Sequence, residues 1–259
     1  MKNKRGQVSI FIIVGIVLIA AIGLFFALRQ GNVVPTPGKT TQENPTSFIE
    51  SCIYEKTHEA IDYLSLRGGY ADNKLSKQFT FGNEEPRNIT YLCYNQNSYL
   101  PCINQKPLFI EDLKEELKKQ VSDKIETCFE DMISNFKNKG YETDVRYNDF
   151  SIMIMPNEIV IQTDSEIILI KGGETTREEN PKIEIPSRIY GIANIANEIV
   201  NQEARFCYAE ISGIGITYPE YVIEKTKTDD LTNIYTIESR KSGEKFRFAV
   251  RSCAIPPTL

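Results

Sequence analysis

The sequence has no tryptophan and a single histidine, His58, in 259 residues. Every histidine-dependent triad or zinc motif would have to run through Lys56-Thr57-His58-Glu59, and helical spacing puts that residue on a solvated helix face. No Gly-x-Ser-x-Gly occurs, and no glycine-rich loop that would cradle a phosphate. Gly213-Ile-Gly215-Ile lacks the third glycine and the following helix of a dinucleotide fingerprint, and Gly172-Gly173 reads as a turn. No Cys-x-x-Cys occurs, so a zinc site would need well-spread thiols to converge. The lack of tryptophan and of an obvious acidic cleft also argues against carbohydrate processing. Carboxylate chemistry alone stays open, because a glycosidase pair has no required spacing and 35 acidic side chains are present. These absences lead to the expectation of a non-enzyme with no cofactor and no metal.

Charge is missing from one long run. Val8 to Leu28 holds 21 residues without a charged side chain. As a helix it would be roughly 32 Å long, which matches the roughly 30 Å hydrocarbon core of a bilayer. Lys2, Lys4 and Arg5 precede it and only Arg29 follows closely. The positive-inside rule then predicts a single-pass protein with a cytoplasmic N-terminus and the rest of the chain outside, held by membrane lipid around residues 8–28. A secretory peptide would have a shorter apolar core and a small-residue cleavage site behind it.

The residues ahead of that run, Lys4-Arg5-Gly6-Gln7-Val8-Ser9, resemble the class III signal of archaeal type IV pilin-like proteins. The resemblance covers only about the first 28 residues. It implies a prepilin-type peptidase as a partner, cutting between Gly6 and Gln7 and leaving the apolar run on the mature chain. The family has Glu at the fifth mature position, where this chain has Phe11. An unpaired carboxylate in hydrocarbon costs about 2.5 kcal/mol or more and so demands a neighbouring subunit's amine. Phe11 makes no such demand, which favours an anchor over a filament helix.

Gln30 to Thr46 reads QGNVVPTPGKTTQENPT and carries Pro35, Pro37 and Pro45 with Gly31 and Gly38. Proline inside a helix costs about 3 kcal/mol, so this stretch reads as a semi-extended tether. Pilin subunits run one continuous helix through both parts. Beyond residue 30 there are 26 basic and 35 acidic side chains, a net of −9. That balance argues against nucleic acid as a partner. Six cysteines, Cys52, Cys93, Cys102, Cys128, Cys207 and Cys253, all lie past the apolar run. An even count outside the membrane favours disulfides, and six cysteines allow 15 pairings that sequence alone does not choose among. Position on helix stripes and closeness in loops nevertheless suggest Cys52–Cys128, Cys93–Cys102 and Cys207–Cys253.

The remaining chain reads as α+β. Ser47-Phe48-Ile49-Glu50 is a capping box ahead of Ile49, Cys52, Ile53, Ala60, Ile61 and Leu64 at helical spacing, and Gly68-Gly69 ends that helix. Residues 70–106 read as a loop-rich insertion holding Cys93, Cys102 and the glycosylation sequon Asn88-Ile89-Thr90. Ile110, Leu113, Leu117, Val121, Ile125, Cys128, Met132 and Phe136 predict a helix over 110–139, stopped by Gly140. The period then becomes two, with strands at 151–155, 158–162 and 166–171, turns at Pro156-Asn157 and Thr163–Ser165, and a continuation at 182–185. A third helix carries Ile189, Ile192, Ala193, Ala196, Ile199 and Val200. Strands follow at 221–224, 234–238 and 245–251, with a hairpin loop at 241–244. Lys245, Arg247 and Arg251 form a basic row expected to be solvated and paired with acids such as Glu224 and Glu238.

The expected domains are a basic tip and transmembrane helix (1–29), a tether (30–46) and an extracellular domain (47–259), divisible into a helical part (47–140) and a sheet-rich part (141–259). The expected fold is one transmembrane helix followed by long helices packed on antiparallel sheet. The layout is similar to that of uncharacterised single-span archaeal surface proteins, a resemblance that implies no activity. The function read from the sequence is a membrane-anchored extracellular protein with a structural or interaction role toward unknown cell-surface proteins. A minor pilin or pseudopilin is the alternative, and a surface hydrolase using carboxylates is a third.

Overall fold

The computed structural model describes residues 44–253. Helix α1 (Pro45–Ser65) begins where Asn44 accepts a hydrogen bond from Thr46 N, 2.9 Å, with Pro45 in the first turn. The helix therefore starts ahead of the expected box at Ser47–Glu50, because asparagine followed by proline is itself a strong start signal. Ile49, Ile53, Ala60, Ile61 and Leu64 are buried along one stripe. Gly69 closes the helix at φ 87°, and a Cβ there would stand 2.9 Å from the Phe109 ring.

The insertion expected to be loop-rich contains three strands: β1 (Ser76–Phe79), β2 (Arg87–Tyr94) and β3 (Ile103–Asn104). Helix α2 (Phe109–Asn138) follows, with Leu113, Leu117, Val121, Ile125, Cys128, Met132 and Phe136 buried. Then come β4 (Glu142–Ile154), β5 (Glu158–Lys171), β6 (Glu174–Glu179), β7 (Lys182–Pro186), α3 (Ile189–Phe206), α4 (Ile211–Thr217), β8 (Tyr221–Lys227), β9 (Thr232–Ser239) and β10 (Lys245–Arg251).

Thr163–Ser165 is not a turn. β5 runs straight through it, because the Thr163 and Ser165 hydroxyls bond each other and Thr163 also donates to Pro181 O. Asn180 Oδ1 takes the Ser165 N–H at 3.0 Å where β6 gives way to β7. The chain break lies in the partner strand, and a β-bulge between Tyr147 and Asp149 bends β4 beside it.

The fold is α+β with four helices and two sheets among the described residues. Two parts of the expected fold are corrected. No helix among these residues is long and apolar enough to cross a membrane; the run Val8–Leu28, on which a transmembrane helix was placed, lies outside them. The helices also pack on two sheets, not on one antiparallel sheet. One sheet has the order β1-β2-β10-β9-β8 with β3 also on β2, and its β2–β10 pair is parallel. The other joins β4 to β5, with β6 and β7 in turn along the far edge of β5.

Ile53, Val121, Ile125, Met132, Ile159, Ile161, Ile192, Ile199, Ile214, Phe246 and Phe248 belong to one continuous core drawn from all four helices and both sheets. Each such side chain contributes about 1.5–3 kcal/mol when fully buried. A smaller cluster of Ile89, Tyr91, Ile234 and Ala249 is covered by Leu75, Phe79, Phe81 and Tyr94. Gly191, half-buried in α3, is a low-propensity residue with a local reason: a Cβ there would collide with the Tyr221 hydroxyl.

Candidate functional site

The structure joins Cys52 to Cys128, Cys93 to Cys102 and Cys207 to Cys253, with Cα–Cα distances of 5.8, 5.4 and 5.3 Å. No cysteine among the described residues is free. Cys52 and Cys128 staple α1 to α2. The three disulfides indicate an extracellular or other oxidising environment.

Two of the disulfides meet at one pole of the fold. Ser252, fully enclosed just after β10, accepts from Cys102 N at 3.3 Å and donates to Glu203 O at 3.2 Å. Cys207 N also bonds Glu203 O. The loop after β2, the end of α3 and the end of β10 are thereby tied to one another. The loop is ordered from within as well. Asn95 accepts from Asn97 N, Asn97 accepts from Tyr99 N, and Asn95 donates to Pro101 O, at 2.9, 2.9 and 2.8 Å. On this braced segment stand Tyr99, Leu100, Ile103 and Leu108, which are 85, 53, 67 and 69% exposed. Phe206 and Tyr208 flank Cys207 and are also exposed.

These apolar residues were not singled out from the sequence. Their signal was a gap in charge: Tyr91 to Gln105 is 15 residues without one charged side chain, in a chain that is 25% charged. Hydrophobic periodicity does not detect such a stretch.

Beneath the pole lies a buried charge cluster. Glu203 on α3 is fully buried, and its Oε1 accepts from Lys225 Nζ at 3.2 Å and from the Tyr235 hydroxyl. Glu203 Oε2 has no partner among the described residues. Burial, with the Glu203 charge second, pushes the Tyr235 phenol far above its usual range, so it stays a donor. Glu203 follows Ile192, Ala196 and Ile199 on the apolar stripe of α3, which was the visible clue to its burial.

Three clefts elsewhere carry charged side chains on their walls. One of about 530 Å³ is lined by Lys118, Asp149, Ser151, Gln162 and Asp164. A neighbour of about 320 Å³ shares Asp164 and Asn180 and adds Arg146, Glu166 and Arg177. Asp149 and Asp164 are partners across β4 and β5 at the bulge. The Phe150 backbone N–H, with Lys118 second, holds Asp149 below the usual carboxylate range. A general acid needs the opposite shift. A third cleft, about 530 Å³, lies between α1 and β7 with Glu50, Tyr54, Lys182 and Glu184 on its walls.

His58 is exposed on α1, 3.3 Å from Asp62 and stacked beside Tyr54. Asn88 is exposed on β2 and not in a loop, opposite Gln78 of β1. The basic row on β10 is divided. Lys245 pairs with Glu238 at 3.2 Å. Arg247 is buried and takes both oxygens of Glu84, a residue of the insertion, so it is not part of a solvated row. Gly6, Gln7 and Phe11 lie outside the described residues. Among the described residues no group of three or more His, Cys, Asp or Glu side chains is placed to hold a metal ion. Neither protein-family models, nor curated proteins, nor solved structures contain a match to the chain.

Proposed function

We propose that the chain is a surface protein with a structural or interaction role, working outside the cytoplasm and held at the membrane by lipid contact along residues 8–28. The observation that carries this reading is the cross-linked pole: exposed apolar side chains sit on a segment fixed by the Cys93–Cys102 disulfide, by its own hydrogen bonds and by the Cys102–Ser252 bond next to Cys253. A surface ordered before contact loses less entropy on binding, which is how such a surface gains affinity. Exposed side chains left on a floppy loop would offer no such gain. Processing between Gly6 and Gln7 by a prepilin-type peptidase belongs to the same proposal.

The test is topological. Full-length protein in intact cells is exposed to an added protease, and membranes are then mapped for disulfide-linked peptides without reduction. The expected result is cleavage from outside, a mature start at Gln7 and all six cysteines paired. Protection from the protease together with free thiols would reject the proposal.

A further inference from the structure

We infer that the pole carrying Tyr99, Leu100, Ile103 and Leu108 is the surface through which two copies of this chain associate. The inference rests on the interaction role proposed above and names its surface and partner.

Charge singles out this loop. The chain has a net charge of −5, and the part beyond residue 30 carries a net of −9. Two identical acidic molecules repel across most of their surfaces. Tyr91 to Gln105 brings no charge to the contact, and it lies within Asn88 to Gln105, the longest uncharged run among the described residues. The loop is therefore the segment on which a copy meets its twin without a like-charge penalty.

Tyr91 to Gln105 reads YLCYNQNSYLPCINQ, rich in amides and tyrosine. Asn95, Asn97, Asn104 and Gln105 bond within the loop, but Gln96 is exposed, and an amide both donates and accepts, so it is complementary to its own copy across a two-fold axis. Tyr with Asn and Ser is also the composition of surfaces that recognise protein through rigid aromatic area and adaptable hydrogen bonds.

The exposed parts of Tyr99, Leu100, Ile103 and Leu108 amount to about 500 Å² per copy at roughly 200 Å² for a fully exposed large side chain, and so about 1,000 Å² over a symmetric contact, the lower bound of a specific interface. Phe206 and Tyr208 lie beside the same disulfides and extend the area.

The experiment places a benzophenone side chain at the exposed position 103 (Ile103→p-benzoylphenylalanine) in the full-length protein in its own membranes. Irradiation is expected to give an adduct of twice the chain mass, with position 103 linked to a peptide from residues 91–108 of a second copy. The same probe in place of Ser151, on the other sheet, is expected to give no such adduct. Adding Tyr99→Asp and Leu100→Asp puts like charges across the axis and should lower the yield by about tenfold or more. Both positions are exposed, so the fold is kept, and an intact Cys93–Cys102 peptide verifies it. An adduct to a different polypeptide overturns the inference, as does its absence from protein whose six cysteines are paired, and either result leaves the extracytoplasmic reading standing. Free cysteines in the native protein would overturn both.

Discussion

Lys225 on β8 reaches Glu203 on α3 at 3.2 Å, and the carboxylate it reaches is fully buried with one oxygen unsatisfied. Lys225 is itself nearly covered. Desolvating both charges costs several kcal/mol per ion, so the pair adds little net stability. Removing one partner is another matter, since the other is left charged and buried. Lys225→Met is expected to cost about 3–5 kcal/mol. The double variant Glu203→Leu with Lys225→Met should recover most of that loss. Urea denaturation of the three proteins decides it, and equal losses in single and double variants would contradict the argument.

The disulfides should rank by the chain they close. Their sequence separations are 76 for Cys52–Cys128, 46 for Cys207–Cys253 and 9 for Cys93–Cys102. The chain-entropy relation gives about 4.5, 4.0 and 2.7 kcal/mol in that order. Replacing each pair by alanine and measuring thermal unfolding tests the ranking. If the Cys93–Cys102 variant proved the least stable, the loop would be part of the folding core and not a braced surface.

The three long helices were readable because their signals are local, whereas the short helix Ile211–Thr217, with Gly213 and Gly215 inside it, was not. Cys52 and Cys128 sit on stripes that repeat every three or four residues, and a stripe predicts which side chains face inward. The sheet order was not readable in the same way. β2 lies beside β10 through contacts between residues more than 150 positions apart, and Ile89 to Cys93 is buried on both faces, so it shows no alternation. Arg247 read as solvated because its cover, Glu84 and Phe81, comes from an insertion with no periodicity. Thr163 and Ser165 read as a turn because hydroxyls are common in turns. Here the hydroxyls satisfy each other, and Thr163 Oγ1 also donates to the Pro181 carbonyl.

Acid should loosen the cover over the outer face of the first sheet. Hydrogen bonds from Arg247 hold Glu84 below its ordinary value of 4.5. Asp230 is held down the same way by Lys77. A carboxyl whose folded value is depressed contributes stability above its unfolded value and loses it as pH falls through the folded one. Stability should therefore decline from about pH 4.5 downward. Glu84→Gln should show a shallower decline over that window in denaturation curves recorded at several pH values. An unchanged slope would place the acid sensitivity elsewhere.

Gly191 offers a case in which helix propensity and packing oppose each other. Gly191 is the third residue of α3, where alanine in place of glycine gains at most about 1 kcal/mol from propensity. At this position the new methyl group meets the Tyr221 hydroxyl and ring. Overpacking of that kind costs about 1–3 kcal/mol, so Gly191→Ala should be net destabilising. Tyr221→Phe removes the nearest atom and should return part of the loss in a double variant. A stabilised Gly191→Ala protein would mean that Tyr221 moves aside freely.

Glycosylation at Asn88, expected from the sequon, carries a constraint of timing. The Asn88 side chain is exposed, so the fold accommodates a glycan there. Thr90, the other half of the acceptor sequence, is buried, and its N–H is bonded to Arg67 O. Asn88 and Thr90 are also held in the ladder with β1. A transferase that must reach both residues finds them together only before β1 and β2 pair. Protein made in its native host should therefore carry the modification at Asn88, seen as a mass increment on the peptide containing residues 88–90 and absent from Thr90→Ala. Folded, unmodified protein presented to the same membranes should stay unmodified, whereas chain unfolded and reduced beforehand should accept the glycan. Equal labelling of folded and unfolded chain would show that β1 opens readily and that the ladder is no barrier.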